Sequence, residues 1–460
     1  MLFNYNYYNL KMKIHFIGIG GIGISALAKY YLYQGHIISG SDLSYPVVFS
    51  KNELKNIKFY LGHKARNLEK DVDLVIYTSA IKKNNPELVK AKKLGIPTLS
   101  YPQALGQLTK NYFTIAIAGM HGKSTTTAMV SNIFIKAKLD PTVIIGSKVK
   151  GFGENKEPSN FRLGKSKILI IEADEYKAGF LNHYPDIILI TNIEEEHLDY
   201  YKNLNNILKT FRKFIQRLNF EKNLGNLNKF RKYLVVNKED KNILKIVPQS
   251  NFLKRIKVRF YSVKNKPKNL KLQVPGLHNI SNALGALTIA KIFKIPDKVS
   301  FKALYEFKGI WRRLEYKGKI NGAKIFDDYG HHPTEIKVTL QAIKELIKNG
   351  RLFIVFQPHQ YYRTLILFDK FLNAFDDADF VILTDIYSVP GREKESIKRK
   401  VNSEILKEEL SKKKNNIYYL KEFEKIEEFL RKNLNKNDIC IIMGAGDIWK
   451  LTEKLIKSEK

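Results

Sequence analysis

One stretch constrains this chain more than any other: Tyr112-Phe-Thr-Ile-Ala-Ile-Ala-Gly119-Met120-His121-Gly122-Lys123-Ser124-Thr125-Thr126-Thr127. An apolar run of strand length leads into a glycine turn, then Gly-Lys-Ser, then a hydroxyl-rich helix start. Such a strand–turn–helix aims backbone N–H groups and a helix N-terminus at a phosphate. Lys123 is placed to neutralise β and γ phosphates, and the Ser124 hydroxyl to ligate Mg²⁺. The spacing Gly-x-x-Gly-Lys-Ser is two residues shorter than the common phosphate loop, so the alternative is a chance Gly-Lys-Ser turn. The apolar strand before it and the threonines after it weigh against chance.

Short apolar strands alternate with helix-compatible stretches along the rest of the chain, which predicts an α/β protein with parallel sheets. Three blocks stand out. The first contains strands at 14–17 and 73–77, the second at 112–117, 168–171 and 187–190, and the third at 324–326, 352–356, 380–383 and 439–443. At 460 residues the chain calls for about three domains, with boundaries in short connections near Lys110 and Trp311. The expected division is 12–110, 111–311 and 312–460. The Lys- and Asn-rich stretch 219–232 reads as a surface excursion of the middle block, and 1–11 as a short tail.

Block one carries Gly18-Ile-Gly20-Gly21-Ile-Gly23 between a strand and a helix predicted over 25–33, with Asp42 after a second strand ending near Ser39. Glycines of this spacing suit a pyrophosphate at a helix N-terminus, and an acid there can accept from a sugar hydroxyl. A dehydrogenase-type dinucleotide site is equally compatible with it. Block two adds Glu172-Ala-Asp174-Glu175-Tyr176 and Thr191-Asn192-Ile-Glu194-Glu-Glu-His197, each at the C-terminal end of a predicted parallel strand, where α/β sheets place ligands. Such groups can complete a Mg²⁺ shell, or form an exposed acidic loop. His278-Asn279-Ile-Ser-Asn282 opens an Ala-rich helix, either as caps or as readers of a base edge. Block three supplies Arg312-Arg313, Asp327-Asp328-Tyr329-Gly330-His331-His332-Pro333-Thr334-Glu335, and His359-Gln360-Tyr361-Tyr362-Arg363. Adjacent histidines point to different faces in extended chain, which disfavours a metal shared by His331 and His332.

Charge is the abnormal quantity: 79 Lys and Arg against 45 Asp and Glu, a formal +34. Taken alone it suggests a polyanion partner. The lysines are spread over the chain with Asn, Ile and Tyr rather than gathered in an arm, so the expectation is solvated faces and no nucleic acid. No apolar run reaches the ~18 residues of a membrane span, so none is expected to insert. A single cysteine, Cys440, lies within the apolar run 439–443 and reads as a buried inert thiol. These features together lead to a cytoplasmic expectation.

Taken in order, the motifs from Gly18 to Arg363 resemble those of the Mur ligase family, and the resemblance runs from Ile14 to about Ile448. Asp327–Glu335 looks more like the L-alanine-adding branch than the branch that adds a whole tripeptide. The resemblance implies a Rossmann-like N-terminal domain for the UDP-sugar, a central phosphate-loop domain for ATP, and a Rossmann-like C-terminal α/β domain for the amino acid. It implies ATP-dependent ligation of L-alanine to the lactyl carboxylate of UDP-N-acetylmuramate through an acyl phosphate, a step of peptidoglycan precursor synthesis, by a monomer or weak dimer.

Carried over residue by residue, Gly18, Gly20, Gly21, Gly23 and Ser25 would meet the UDP-sugar. Gly119, Met120, His121, Gly122, Lys123, Ser124 and Thr125 would cradle ATP, with His278, Asn279 and Asn282 near its adenine. Ser124, Glu172 and His197 would hold Mg²⁺, with Lys123, Glu172 and His197 catalytic. Arg312, Arg313, Tyr329, His331 and Arg363 would meet the substrates. Departures from the family pattern are Met120 for Thr, Lys177 and Gly179 for an acid and a Ser, and Gln360 for an Arg. No carbamylated lysine is expected.

Overall fold

The computed structural model describes residues 11–225, 227, 231–247, 256–389, 393 and 395–457. All but the last residue of the expected tail at 1–11, and part of the 219–232 excursion, therefore lie outside the described residues. Two compact units are resolved: Met1–Leu270 with Ser281–Leu304, and Lys271–Ile280 with Tyr305–Lys460.

The first unit contains two sheets. One has five parallel strands, β1 (Lys13–Ile17), β2 (Ile37–Asp42), β3 (Ile57–Leu61), β4 (Leu74–Tyr77) and β5 (Thr98–Ser100), in the order β3-β2-β1-β4-β5. Strand order reverses at β1, so a crevice opens beyond its C-terminal end, where Gly18–Gly23 lies. The other has β6 (Phe113–Ala118), β7 (Thr142–Val149), β8 (Ser159–Arg162), β9 (Ile168–Glu172), β10 (Ile187–Ile190), β11 (Lys232–Asn237) and β12 (Ile256–Tyr261), ordered β12-β11-β10-β6-β9-β7-β8. Every residue of β6 and β10 is buried, as central strands covered on both faces require.

The second unit is built on β13 (Glu315–Ile320), β14 (Ala323–Asp328), β15 (Leu352–Phe356), β16 (Phe380–Leu383), β17 (Ile417–Tyr419) and β18 (Ile439–Met443), ordered β13-β14-β18-β15-β16-β17. Here β15 and β18 are the fully buried pair, and Cys440 lies among them with its thiol pushed far above the ordinary range by burial.

The α/β expectation holds, with three parallel-dominated sheets. Two strand pairs depart from it, because β7–β8 and β13–β14 are antiparallel edges. Strand β2 runs three residues past the expected Ser39, through Asp42. The excursion at 219–232 is not wholly superficial. Lys222 is buried and donates to Asp186 Oδ2 at 2.6 Å and to the Tyr112 carbonyl at 2.8 Å, while Lys232 pairs with the other Asp186 oxygen. Asp186 itself accepts from Thr114 N at the start of β6, so one buried carboxylate anchors both lysines to the central strand.

Within the first unit the helix Ile22–Tyr33 packs on the β7–β8 hairpin. Asn160 donates to the Ile22 carbonyl at 2.5 Å and to Ser25 Oγ at 2.9 Å. Lys29, 1% exposed, bonds Ser159, the Val48 carbonyl and Glu53. Burial lowers the Lys29 ammonium, and Glu53 opposes it. Breaking so enclosed a pair costs several kcal/mol, about 3–5, which fixes this helix firmly. Ser25 is consumed by that contact. Its hydroxyl, expected to meet the UDP-sugar, is buried and braces the hairpin.

Candidate active site

The phosphate loop sits where the topology demands it, between β6 and the helix Lys123–Lys136, in the middle of the sheet. Gly119 (φ +135°) and Gly122 (φ +78°) adopt backbone angles that side chains resist. A Cβ on Gly119 would lie 2.0 Å from Thr191 Oγ1, and one on Gly122 2.5 Å from Asn282 Oδ1. The loop is pinned from β10: Asn192 accepts from His121 N at 2.9 Å and donates to the His121 carbonyl at 3.0 Å. Thr191 donates to the same carbonyl at 2.7 Å. Met120 is buried and acts through its backbone, donating to the Asn192 carbonyl. His121 pairs with Glu194.

Register on β6 sets Glu172 beside Ile117, one strand from the loop. Its Oε2 accepts from Ser124 Oγ at 2.8 Å and from Gly146 N at 2.8 Å. Lys123 turns back over the loop to the Gly119 carbonyl at 2.7 Å and to Glu175, 3.0 Å from Oε1 and 2.8 Å from Oε2. His197 Nε2 lies 3.3 Å from Glu175 Oε1, and its ring is 4.9 Å from that of Tyr176. Asp174, Glu175 and His197 bring ligand atoms within 4.8 Å of one another. His197 has φ +54°, a strained setting for a non-glycine residue of the kind that collects at functional sites.

Electrostatics make this a balanced cluster. Burial would lower the Lys123 ammonium, yet Glu175, Asp174 and Glu172 hold it above its ordinary value. Burial would raise Glu175, but Lys123 and His197 hold it below the usual carboxylate range. His197 is raised against its burial by Glu175 and Glu196. The structure therefore brings Ser124 to Glu172 as expected, while His197 turns to Glu175. Glu175 was not singled out from the sequence. Its signal was present, an acid three residues after Glu172, but nothing local says that Lys123 and His197 converge on it.

At the first loop, Gly18 has φ +80° and donates, with Ile19 N, to the Ser41 carbonyl. Asp42 Oδ2 accepts from Gly20 N at 2.8 Å, which fixes the loop's shape from β2. A Cβ on Gly23 would press on the Tyr101 ring at about 3.1 Å, so that glycine serves packing as much as phosphate approach. Near it lies a buried set that sequence reading missed. Glu87 accepts from Ser41 Oγ at 2.6 Å and Asn67 at 3.0 Å and contacts His15 at 2.9 Å, with His63 beside Ser41.

In the second unit Tyr329, His331 and Arg363 are linked through His359. The His331 and His359 rings are 5.7 Å apart, and Arg363 Nη1 lies 3.0 Å from His359 Nδ1. Tyr329 and His331 meet edge-on at 5.7 Å. Glu335 organises the turn, accepting from His331 N and His332 N and pairing with Arg313. The two histidines do diverge: His332 is buried as the N-cap of the helix Pro333–Lys344, while His331 stays partly exposed.

Arg312, expected to meet substrate, is held by the protein itself. It is 3% exposed, its Nη2 donates to the Gly444 carbonyl at 2.5 Å, and its Nε donates to Asp327 at 3.2 Å. It joins β14 to the end of β18. Both guanidinium groups lie 5.2 Å from the Tyr329 ring centroid, but Arg312 is spent on Asp327 and the Gly444 carbonyl, whereas Arg313 pairs with Glu335 from a partly exposed position. In the helix Leu277–Ile292, Asn279 donates to the Pro275 carbonyl, and Asn282 lies against Gly122. Burial drives His278 down to about 4, with Glu335 opposing and Arg313 adding, so its ring is neutral near pH 7.

A phosphate loop flanked by a Ser–Glu pair and a Lys–Glu–His cluster, on an α/β sheet, defines an enzyme class that handles nucleotide phosphates. Three family models match consecutive stretches: Mur ligase family, catalytic domain, over 13–113; Mur ligase middle domain over 117–290; and Mur ligase, glutamate ligase domain, over 312–446. A UDP-N-acetylmuramate–L-alanine ligase of Acetivibrio thermocellus is 41% identical over 98% of this chain and 97% of its own length. One of Clostridium novyi is 40% identical over the full length of both. The crystal structure of the UDP-N-acetylmuramate–alanine ligase MurC of Thermotoga maritima superposes with a TM-score of 0.77 at 26% identity, covering 97% of this chain and 99% of that one. A murein peptide ligase of Psychrobacter arcticus, at 23% identity and a TM-score of 0.69 over 97% and 98% of the two chains, shares the fold. This chain belongs to the Mur ligase family.

Proposed function

We propose that the chain uses ATP to join L-alanine to the lactyl carboxylate of UDP-N-acetylmuramate, giving UDP-N-acetylmuramoyl-L-alanine, ADP and phosphate for peptidoglycan synthesis. The observation that carries this reading is 41% identity over 98% of the chain to a ligase of that name. It is supported by a phosphate edge in which Lys123, Ser124 and Glu172 are already gathered. The proposed division assigns 12–110 to the UDP-sugar, 111–311 to ATP and 312–460 to the amino acid. Cytoplasmic location and a monomer or weak dimer go with it. No described helix is long and apolar enough to cross a membrane.

The chemistry follows from charge. The lactyl carboxylate attacks the γ-phosphorus of ATP, and negative charge gathers on the transferred group. Lys123 leaves Glu175 for the phosphates, which supply the anionic partner that Glu175 provides in the absence of nucleotide. Glu175 then retains His197 as its counter-ion. Backbone N–H groups of 122–125, at the helix N-terminus, add fixed positive potential. The donor set fits Mg²⁺: a hydroxyl and a carboxylate oxygen, both hard ligands, meet at 2.8 Å between Ser124 and Glu172. Bound there, the ion would offset phosphate charge. The neutral alanine amine then attacks the acyl phosphate, and phosphate leaves. Arg313, Tyr329, His331 and Arg363 are the groups assigned to orient the amino acid and the anionic acceptor.

ADP release measured with UDP-N-acetylmuramate and a panel of acceptors tests the reading. Release should require L-alanine, with glycine and L-serine weaker. Preference for the tripeptide L-alanyl-γ-D-glutamyl-diaminopimelate would assign the chain to the other branch instead.

A further inference from the structure

Away from the phosphate edge, the first unit holds a cavity of about 450 Å³ between β12 and the second half of the helix Leu277–Ile292. The helix contributes Leu284, Leu287, Thr288 and Lys291, the i, i+3, i+4, i+7 stripe of one face. The sheet contributes Tyr233 from β11 and Arg259 and Tyr261 from β12. β12 is the edge strand, so the cavity opens at the side of the sheet, where Phe260 is half exposed. None of the residues assigned to nucleotide, metal or amino acid lines it.

Size and lining both point to a ligand. The volume lies in the range of small-molecule sites, roughly 300–1,000 Å³. Its floor is apolar and aromatic, and its cations are Arg259, Lys291 and Lys294, with no Asp or Glu in the lining. Among the described residues no carboxylate pairs with any of the three. The Arg259 guanidinium lies 5.9 Å from the Tyr233 ring centroid, so a cation and an aromatic ring stand side by side in the wall. All three cations are exposed to solvent, so they favour an anionic head group, while the apolar floor favours an apolar body.

We propose that this cavity binds a small amphipathic anion, a compact apolar body carrying a single carboxylate, sulfonate or phosphate. The proposal is independent of the ligase reading. Its test is a titration of the full-length protein with 1-anilinonaphthalene-8-sulfonate, with saturating ADP and UDP present to occupy the nucleotide sites. One saturable site per chain is expected. The paired reversal Arg259→Glu with Lys291→Glu should weaken it by about tenfold or more. Thr288→Trp, which fills the cavity from the helix side, should abolish it. Uncharged N-phenyl-1-naphthylamine should bind the wild type and the charge-reversed protein alike and be lost only in Thr288→Trp. Unsaturable fluorescence, or equal affinity for the sulfonate in all three proteins, overturns the proposal. So does sedimentation showing a dimer that Thr288→Trp dissociates, which would give this face to a second copy of the chain.

Discussion

The Lys123–Glu175 pair beside the phosphate loop and the Arg312–Asp327 pair in the second unit are both enclosed, yet they are built differently. Lys123 keeps 13% of its side chain exposed over a Glu175 that is 1% exposed, whereas Arg312 and Asp327 are 4% and 3% exposed. Glu175 has two cations and stays below the ordinary carboxylate range. Asp327 shares its one arginine with backbone carbonyls of the β18 end, and burial raises it in spite of Arg312. A lysine on a flexible stem over a doubly compensated carboxylate can be drawn away by another anion. A guanidinium fixed to carbonyls by a planar fork cannot leave without orphaning all its partners. The first pair is therefore exchangeable, and the second is a fastening.

The largest effect should come from Lys123→Ala. Removing the charge proposed to meet the transferred phosphoryl group is expected to lower kcat by about 10³-fold, while UDP-N-acetylmuramate affinity by calorimetry stays nearly unchanged. Ligation at the wild-type rate would erase the distinction between the pairs. Next comes Arg312→Ala, which strands Asp327 in the interior. Its cost should be about 3–5 kcal/mol of folding stability, read from urea unfolding. A stable Arg312→Ala protein with a raised KM for substrate would instead restore Arg312 to the substrate site.

A third buried group sharpens the contrast because no counter-charge meets it among the described residues. His183 is 2% exposed, both its ring nitrogens lack a partner among the described residues, and burial, helped by Arg217, pushes it down to about 3. The unfolded chain takes up this proton near pH 6.5 and the folded chain only near 3, so stability is present above 6.5 and lost as pH falls between the two. At pH 5 the loss is about 2 kcal/mol. His183→Leu should remove that part of the decline, seen as a gain in Tm over wild type at pH 5 that narrows by pH 7.5. An unchanged difference across that range would mean that the folded imidazole titrates normally.

The smallest effect is expected at Gln360, where the family's usual Arg is absent. Its backbone is fully used: Gln360 N donates to the Tyr387 carbonyl, and its own carbonyl accepts from Thr364 N and Oγ1. Only the side chain is free to change the amino-acid site, and Arg363 is retained beside His359. Gln360→Arg should lower the KM for L-alanine by about fivefold, the small end of a charge-assisted bond, with the KM for ATP unchanged. An unchanged alanine KM would show that this position does not touch the amino acid.

Much of this was legible before folding. Strands 187–190, 352–356, 380–383 and 439–443 were readable to the residue because a central parallel strand must be apolar throughout. The antiparallel edges β8 and β13 escaped notice, since a half-exposed edge such as 315–320 has no apolar run to announce it. The phosphate loop and the Ser124–Glu172 pair were readable because a strand, a turn and a helix in sequence fix them locally. The pairings of Glu175 and His359 and the whole Glu87 set were not, nor were the contacts that enclose Ser25 and Arg312. Their roles depend on partners far along the chain, Asn160 for Ser25 and Gly444 for Arg312.

By itself, then, the sequence determined which segments lie at the centre of each sheet, where glycines turn the chain between strand and helix, and to which family the chain belongs. These are local properties: apolar periodicity, backbone freedom at glycine, and the order of short motifs. Tertiary structure alone decided which charges are spoken for. A side chain's pairing depends on burial and on distances of about 3 Å, and these are set by strands packed side by side. Two adjacent arginines that look alike on the chain, both beside the Tyr329 ring, are separated only there, Arg312 sealed onto Asp327 and Arg313 paired with Glu335.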